Sequence, residues 1–372
     1  MLQNVRFINY RGLKDTTLPL APITLLTGTN GIGKTSVLEG LYFLLSQSPD
    51  AATFPRYPLH HGVQANAGAS NGWGYDYTSF WNECPTGGVS ECRVEAALGV
   101  FTLTWEMKLS DFAQLTEDLK SVATAYGLQT GVGAQYALWE WNCKGKVSQD
   151  NGRQETVDVS HGSKAFQQLS MEPRFSPRIG TGIATVCRYV DMSSTRYIPE
   201  KLPLATENFL TDGLKIIKPG ITGVRRDGGN QPRLRVIVNE KSEYSLGTLG
   251  VGAETWASMF LALAELADTS TGQASVMFLA DEIGAGIHYG KLEEVWDFLL
   301  KFLSHKPQIQ MVLTTHSHDC INAFCKTFQN ATPGMAHIVR LNKFDEEEGV
   351  LTTVLPQEMF DSILSGEWEV RG

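Results

Sequence analysis

Residues 27–45 read TGTNGIGKTSVLEGLYFLL, and this stretch is the strongest local indication of the fold. The chain before it gives two strand-like runs, VRFINY and LPLAPITLLT, separated by the polar turn RGLKD. The segment 28–35 fits the pattern GxxxxGK followed by Ser or Thr, and apolar residues at helical spacing come after it. Glycines in such a loop let backbone N–H groups point at phosphate oxygens, and the start of the helix adds positive potential. The pattern therefore predicts a phosphate-binding loop between a strand and a helix.

The residues of this loop have distinct predicted roles. Lys34 is expected to reach the β- and γ-phosphates of a nucleotide, and the Thr35 hydroxyl to bind Mg²⁺. The residues expected to surround the phosphates are Asn30, Gly31, Ile32, Gly33, Lys34, Thr35 and Ser36.

A phosphate-binding loop needs an acidic partner on a neighbouring strand, and the apolar run SVMFLADEI at 275–283 supplies two acids. Asp281 is expected to hold the Mg²⁺, and Glu282 to act as the base that polarises the attacking water. The next apolar run leads to His316, which we expect to contact the γ-phosphate. The alternatives are a pair of surface acids and a plain core or surface histidine.

The order of the remaining segments predicts an α/β fold. From about residue 193 onwards strand-like and helical patterns alternate, which is typical of a mostly parallel sheet flanked by helices. Residues 47–91 are irregular and rich in Gly, Pro, Ala and Asn, and residues 92–190 are rich in strand-like patterns. We therefore predict one nucleotide-binding unit built from residues 1–46 and 191–372, with an inserted α+β subdomain at 47–190.

Composition limits the classes of protein to consider. The chain has 372 residues, of which 42% are hydrophobic and 19% charged, as expected for a globular protein with a real core. A net charge of −9 disfavours a general nucleic-acid coat but leaves a local basic groove open. There is no apolar run of membrane-spanning length, no signal-peptide core, and no zinc-like spacing of the six cysteines. We expect a cytoplasmic protein with reduced thiols, no membrane partner and no cysteine metal site.

Five motifs together resemble a known superfamily. VRFINYRGL, GTNGIGKTSVLEGL, SLGTLGVG, FLADEI and TTHSHD occur in the order seen in ABC-type ATPases of the SMC/RecF/OLD superfamily. More narrowly, they resemble AAA15/AAA21 ATPases, including stand-alone ATPase subunits of bacterial anti-phage defence systems such as PARIS and Septu. The resemblance covers residues 1–46 and about 190–345. It implies a P-loop fold of the ABC-ATPase head type, the cofactors ATP and Mg²⁺, and slow hydrolysis of ATP to ADP and phosphate.

The resemblance also implies a homodimer that sandwiches ATP. In such ATPases a Ser-x-Gly-type signature of one subunit closes over the ATP held by the other. The matching positions here are Thr248, Gly250 and Gly252. Thr248 stands where a serine is usual and Val251 where an acidic residue is frequent, which affects the expected hydrolysis rate more than ATP binding. A glycine turn before an apolar helix is the alternative.

Three other residues match family positions less closely. Arg11 lies in the turn NYRGL near the expected nucleotide, and Asn82 lies roughly where the glutamine loop belongs. His288, in GAGIHYG, resembles a member of the dimer interface. A solvated turn residue or an ordinary loop residue is the alternative for each.

Arginines also cluster around the predicted hairpin turn RDGGN at 226–230. Such a cluster could touch DNA, although a solvated hairpin face with flanking acids is favoured. The residues concerned are Arg225, Arg226, Arg233 and Arg235.

The resemblance favours a sensor ATPase in anti-phage defence that controls a separate effector, either a nuclease or a toxin. Residues 50–190 contain no HNH or PD-(D/E)xK constellation, so the toxic activity is expected in another protein. The trigger would be a phage protein or DNA. An oligomer larger than the dimer is an alternative that the sequence leaves open. The alternative is a RecF/SMC-like DNA repair or chromosome-maintenance clamp. A transporter ATPase ranks last, because an LSGGQ-type signature is missing.

Overall fold

The structure is a computed structural model, and it describes most of the chain. The described residues are 1–46, 62–64, 73–75, 90–98, 101–110, 138–148, 154–163, 185–191, 202–227, 234–269, 275–343 and 349–370.

The strands and helices are numbered along the chain. The strands are β1 (Asn4–Tyr10), β2 (Leu13–Pro19), β3 (Ile23–Thr27), β4 (Gly62–Gln64), β5 (Trp73–Tyr75), β6 (Ser90–Leu98), β7 (Phe101–Ser110), β8 (Leu138–Ser148), β9 (Gln154–Ser163), β10 (Thr185–Asp191), β11 (Ile221–Arg226), β12 (Leu234–Val238), β13 (Ser242–Ser245), β14 (Ser275–Asp281), β15 (Ile309–Thr314), β16 (Ala336–Lys343) and β17 (Val350–Pro356). The described helices are α1 (Lys34–Ser46), α2 (Leu204–Ile217), α3 (Val251–Thr269), α4 (Leu292–His305), α5 (His318–Phe328) and α6 (Phe360–Leu364).

A mostly parallel sheet forms the centre of the molecule. Its strand order is β10-β14-β15-β3-β16-β17, and only β17 runs antiparallel to its neighbour. Both faces of this sheet are covered, as parallel sheets require. The predicted α/β class with a mostly parallel sheet flanked by helices is therefore confirmed.

Side chains of the central strands alternate between two hydrophobic cores. On β14, Val276 and Phe278 lie in the core that contains the buried faces of α2 to α6, whereas Met277 and Leu279 lie in the core beneath α1. This alternation is the period of two that a strand imposes on successive side chains. Because both sets are apolar, the strand reads as one continuous hydrophobic run in the sequence.

The parallel arrangement gathers three chain segments at one edge of the sheet. β14 pairs in parallel with β15, and β15 pairs in parallel with β3. The phosphate-binding loop follows β3, the acids end β14, and His316 follows β15. Ligands of open α/β sheets bind at the carboxyl ends of the strands, so this edge is the place to look for the site.

A second, antiparallel sheet has the strand order β2-β1-β6-β7-β8-β9. Strands β6 to β9, from the segment 47–190, thus extend the sheet that the N-terminal hairpin begins. β10 pairs with β14 in the central sheet, so the predicted boundary between residues 190 and 191 falls inside a central strand. A third sheet, β11-β12-β13, contains the predicted hairpin around RDGGN, since β11 pairs antiparallel with β12.

Candidate functional site

The loop between β3 and α1 depends on glycine at specific positions. Gly28, Gly31 and Gly33 have φ angles of 134°, 78° and 109°, a region that other residues rarely adopt. A Cβ atom on Gly28 would also lie 2.5 Å from the backbone oxygen of Leu341. The glycines therefore permit both the curvature of the loop and its close approach to β16.

Lys34 is the first residue of α1, and its side chain folds back over this loop. The ammonium Nζ donates hydrogen bonds to the backbone oxygens of Gly28, at 2.8 Å, and Thr29, at 3.0 Å. The residue is only 6% exposed, and burial lowers the pKa of the ammonium while the carboxylates of Glu282 and Asp281 oppose that shift. A cation is thus held where a phosphate-binding loop needs one.

Thr35 and Asp281 join the loop to the acidic strand. The Thr35 hydroxyl Oγ1 donates to Asp281 Oδ2 at 2.7 Å across a sequence separation of 246 residues. Asp281 ends β14 and is buried. A hydroxyl and a carboxylate are hard oxygen ligands, the kind that Mg²⁺ takes when substrate phosphates and water complete its octahedron. These two residues fit a magnesium site beside the loop.

Glu282 leaves the sheet in an unusual backbone conformation. Its φ is 59°, the left-handed region, which costs a residue other than glycine about 1 to 3 kcal/mol. Its carboxylate Oε2 lies 2.5 Å from His316 Nδ1. The structure therefore brings together the two residues expected to act as base and as γ-phosphate sensor.

Thr314 was not anticipated from the sequence. It ends β15, and its hydroxyl donates to Asp281 Oδ1 and accepts a hydrogen bond of 2.9 Å from the backbone N–H of Glu282. The detectable signal was a pair of polar residues, Thr314 and Thr315, that follow the apolar run MVL directly before His316.

The predicted signature lies at the start of α3. Residues Leu246–Leu249 form a short 3-10 turn, Gly250 has a φ of 101°, and α3 begins at Val251. A Cβ atom on Gly252 would lie 2.1 Å from the backbone oxygen of Gly286, in the loop after the acids. The signature is thus packed closely against that loop of its own chain.

The outward side of this region carries exposed apolar groups. Val251 is 64% exposed and Tyr289 is 67% exposed. The ring of His288 lies 4.3 Å from that of Tyr289, and His288 Nδ1 accepts a hydrogen bond from the backbone N–H of Gly290. Thr248 is exposed, and its hydroxyl donates to the backbone oxygen of Ser245 at 2.7 Å.

Arg11 contacts a carboxylate one helical turn beyond Thr35. Its guanidinium binds both oxygens of Glu39, at 2.5 and 2.7 Å, and the Tyr10 hydroxyl donates to the same carboxylate at 3.0 Å. Burial raises the pKa of Glu39, and Arg11 and Tyr10 offset part of that shift. Burial opposes the charged form of Arg11, but Glu39 outweighs it and the pKa of the guanidinium is raised. The ion pair of Arg11 with Glu39 therefore links the N-terminal hairpin to α1.

Two arginines of the β11–β12 hairpin are paired with acids, whereas the Nε of Arg226 is buried without a hydrogen-bond partner among the described residues. Arg225 binds Glu243, and Arg235 lies 3.2 Å from Asp227. These exposed pairs match the solvated hairpin face with flanking acids that the sequence favoured. Arg233 and the weak candidate Asn82 lie outside the described residues.

Three further features of the described part of the chain bear on its function: clusters of metal-ligating side chains, cysteines and apolar helices. It contains no group of three or more His, Cys, Asp or Glu side chains that could hold a metal ion. The cysteines whose side chains are described are buried free thiols, namely Cys92, Cys187, Cys320 and Cys325. None of the helices in the described ranges combines the length and apolar character that crossing a membrane requires.

Comparisons with known proteins agree with this geometry. Residues 1–91 match the family described as AAA ATPase domain. Among solved structures, the chain is similar to an SMC head bound to the C-winged helix domain of ScpA, with a TM-score of 0.50 and 10% identity over 97% of this chain and 99% of that one. No curated protein matches the chain.

Two further structures are more distant. The SMC head domain from Thermotoga maritima gives a TM-score of 0.43 at 10% identity, over 95% of this chain and 98% of that chain. A structure described as the recombination mediator protein RecF-ATPrS in the RecFOR pathway gives a TM-score of 0.42 at 10% identity over the same shares. At such identity the likeness to the first SMC head concerns the fold alone: this chain has the α/β fold of an SMC head.

Proposed function

Starting from the fold of an SMC-type ATPase head, we propose that this chain binds ATP with Mg²⁺, hydrolyses it slowly and dimerises around it. The observation that carries the proposal is the 2.7 Å hydrogen bond between Thr35 and Asp281. It joins a phosphate-binding loop to a buried carboxylate, the two elements that P-loop ATPases use to hold a nucleotide and its metal. Bound there, Mg²⁺ would neutralise charge that develops on the phosphate oxygens.

The chain's own residues supply the other parts of the reaction. Backbone N–H groups of the loop and the ammonium of Lys34 bind the β- and γ-phosphates. The Glu282 carboxylate would orient and polarise the attacking water. His316, 2.5 Å from that carboxylate, would hold it in place and contact the γ-phosphate.

The second half of the site comes from another copy of the chain. Thr248, Gly250 and Gly252 would close over the ATP of the partner, with His288 at the interface. The exposed side chains of Val251 and Tyr289 support this assignment, because exposed large apolar groups favour burial against a partner.

The biological role that we propose is that of a sensor and scaffold which controls a separate nuclease or toxin in bacterial anti-phage defence. This role rests on the resemblance to AAA15 ATPases, and the match of residues 1–91 to an AAA ATPase domain is compatible with it. A DNA repair or chromosome-maintenance clamp is the second candidate, favoured by the likeness to an SMC head. The acid-paired arginines of the β11–β12 hairpin speak against a basic groove at that position.

A mixing experiment tests the shared site. Lys34→Ala removes the phosphate cation, and Val251→Arg places a charge on the exposed signature face; each variant alone should hydrolyse little ATP. Mixed together, they form heterodimers in which one of the two sites has an intact loop and an intact signature, so hydrolysis should reappear. Lys326→Ala, which alters an exposed lysine paired with Glu293, is the control and should behave as wild type. No recovery on mixing would contradict a site built from two copies.

A second measurement separates the two biological roles. Retention of duplex DNA by the wild-type protein with ATP is measured at about 150 mM salt, where weak electrostatic binding is screened. The sensor role predicts no retention above the level without ATP. Strong ATP-dependent retention would favour the DNA clamp.

A further inference from the structure

One buried hydroxyl connects both acids that end β14. Thr314 Oγ1 donates to Asp281 Oδ1 and accepts a 2.9 Å hydrogen bond from the N–H of Glu282. The backbone oxygen of Thr314 also accepts a 2.8 Å hydrogen bond from the N–H of Ile283. Thr314, which is itself fully buried, therefore contacts three successive residues of the neighbouring chain segment.

These contacts determine how each acid is presented. With one oxygen of Asp281 held by Thr314, the other is directed at Thr35, where it accepts the 2.7 Å hydrogen bond. The backbone N–H of Glu282 is held at a φ of 59°, the conformation that turns its carboxylate towards His316. A hydroxyl donates and accepts at once, so a serine could replace this group and a valine could not.

We infer that Thr314 is a positioning residue for the reaction, resting on the ATPase function proposed above. Its hydroxyl orients Asp281 towards the metal and fixes the turn at Glu282, so that the metal ligand and the base keep a constant relative position. Groups that orient metal ligands in this way typically affect metal affinity and activity without touching substrate. Thr314 acts only through the two acids.

Variants at Thr314 separate the hydroxyl from the shape of the side chain. Thr314→Val keeps the volume but removes the hydroxyl, whereas Thr314→Ser keeps the hydroxyl. Thr27→Val is the matched control: Thr27 ends β3, is equally buried, and its hydroxyl has no hydrogen-bond partner among the described residues. Melting temperatures identify any variant that does not fold, and Thr314→Ala replaces Thr314→Val if that variant cannot be purified.

Two readouts are taken: kcat and KM for ATP, and the Mg²⁺ concentration that half-saturates ATP binding. Thr314→Val should lower kcat and raise the half-saturating Mg²⁺ concentration, each by about 10- to 100-fold, with a smaller change in KM. Thr314→Ser should restore both values, and Thr27→Val should match wild type. A Thr314→Val enzyme with wild-type values, or a Thr314→Ser enzyme as impaired as Thr314→Val, would overturn the inference.

The two proposals fail in different ways. Absence of hydrolysis by the wild-type protein would remove the proposed ATPase function. The Mg²⁺ dependence of ATP binding would then still decide whether Thr314 controls the metal ligand. A hydrolysing wild type with an unaffected Thr314→Val variant would remove only the role of Thr314.

Discussion

The two glycine-rich segments of this protein, the phosphate-binding loop and the signature, differ in what surrounds them. In the loop, a Cβ on Gly28 would strike the backbone of β16, and Lys34 is buried beneath backbone oxygens. In the signature, a Cβ on Gly250 would meet no heavy atom of the described residues within 4 Å, and the adjacent Val251 is 64% exposed. The base of the loop, at Gly28 and Lys34, is enclosed by its own chain, while its tip at residues 29–31 is exposed. The signature has an open outward face.

The difference indicates which part of the proposed two-copy site a single chain can build. The central sheet places the ends of β3, β14 and β15 side by side. Asp281, His316 and the hydroxyl of Thr314 therefore lie near the phosphate-binding loop of the same chain. The signature packs inward against Gly286, but its outward face is available to a second molecule. This contrast supports the proposal that ATP closes the site by joining two copies.

Replacing the base should produce the largest effect and should sharpen the contrast between the halves. Glu282→Gln keeps the shape of the side chain but removes the charge that polarises water, so kcat should fall about 1,000-fold while ATP still binds. The uncleaved nucleotide should then hold two copies together, and size-exclusion chromatography with ATP should show a lasting dimer. Undiminished turnover would exclude Glu282 as the base.

The buried ion pair of Arg11 and Glu39 joins the N-terminal hairpin to α1. Breaking this pair should strongly destabilise the protein. Arg11→Ala leaves the Glu39 carboxylate buried without its cation, which typically costs about 3 to 5 kcal/mol of unfolding free energy. Arg6→Ala is the control from the same hairpin, because Arg6 pairs with Asp15 at 2.8 Å in solvent. Urea unfolding should show a large loss for Arg11→Ala and little change for Arg6→Ala; equal losses would contradict a special role for the buried pair.

The inward side of the signature should not tolerate an added side chain. Gly252→Ala forces a methyl group against the backbone oxygen of Gly286, where a Cβ would lie 2.1 Å away, and should cost about 1 to 3 kcal/mol. Gly12→Ala, at a position where a Cβ meets nothing within 4 Å, should leave the unfolding free energy nearly unchanged. A neutral Gly252→Ala variant would show that the loop at Gly286 moves away easily.

Much of the fold could be predicted from the sequence because its central strands are apolar on both faces and its helices are amphipathic. The helix expected at HDCINAFCKTF is α5, and the strand expected at SVMFLADEI contains β14. The run LPLAPITLLT, in contrast, contributes to two strands in different sheets, β2 and β3. Local periodicity could not show this, because both halves of the run are apolar and the division depends on which partner strand each half meets.

The assembly of the site was only partly visible in the sequence. Residue types at fixed spacing identified Lys34, Thr35, Asp281, Glu282 and His316, and the structure brings these residues together at one edge of the central sheet. Their catalytic roles and those of the signature residues stay predictions. The family resemblance suggested Arg11 near a nucleotide, with a solvated turn residue as the alternative, and the sequence contained no sign that a carboxylate on α1 would bind it.

The amino-acid sequence by itself determined the local chemistry of this protein: a glycine loop that presents N–H groups, a lysine, a hydroxyl and two acids at the end of a strand. Only the tertiary structure decided which of these groups share a hydrogen bond. Thr35 meets Asp281 across 246 residues, and Thr314 meets both acids, because β15 lies between β14 and β3 in the sheet. Strand order depends on how all the hydrophobic faces are buried together, and no local stretch of sequence carries that information.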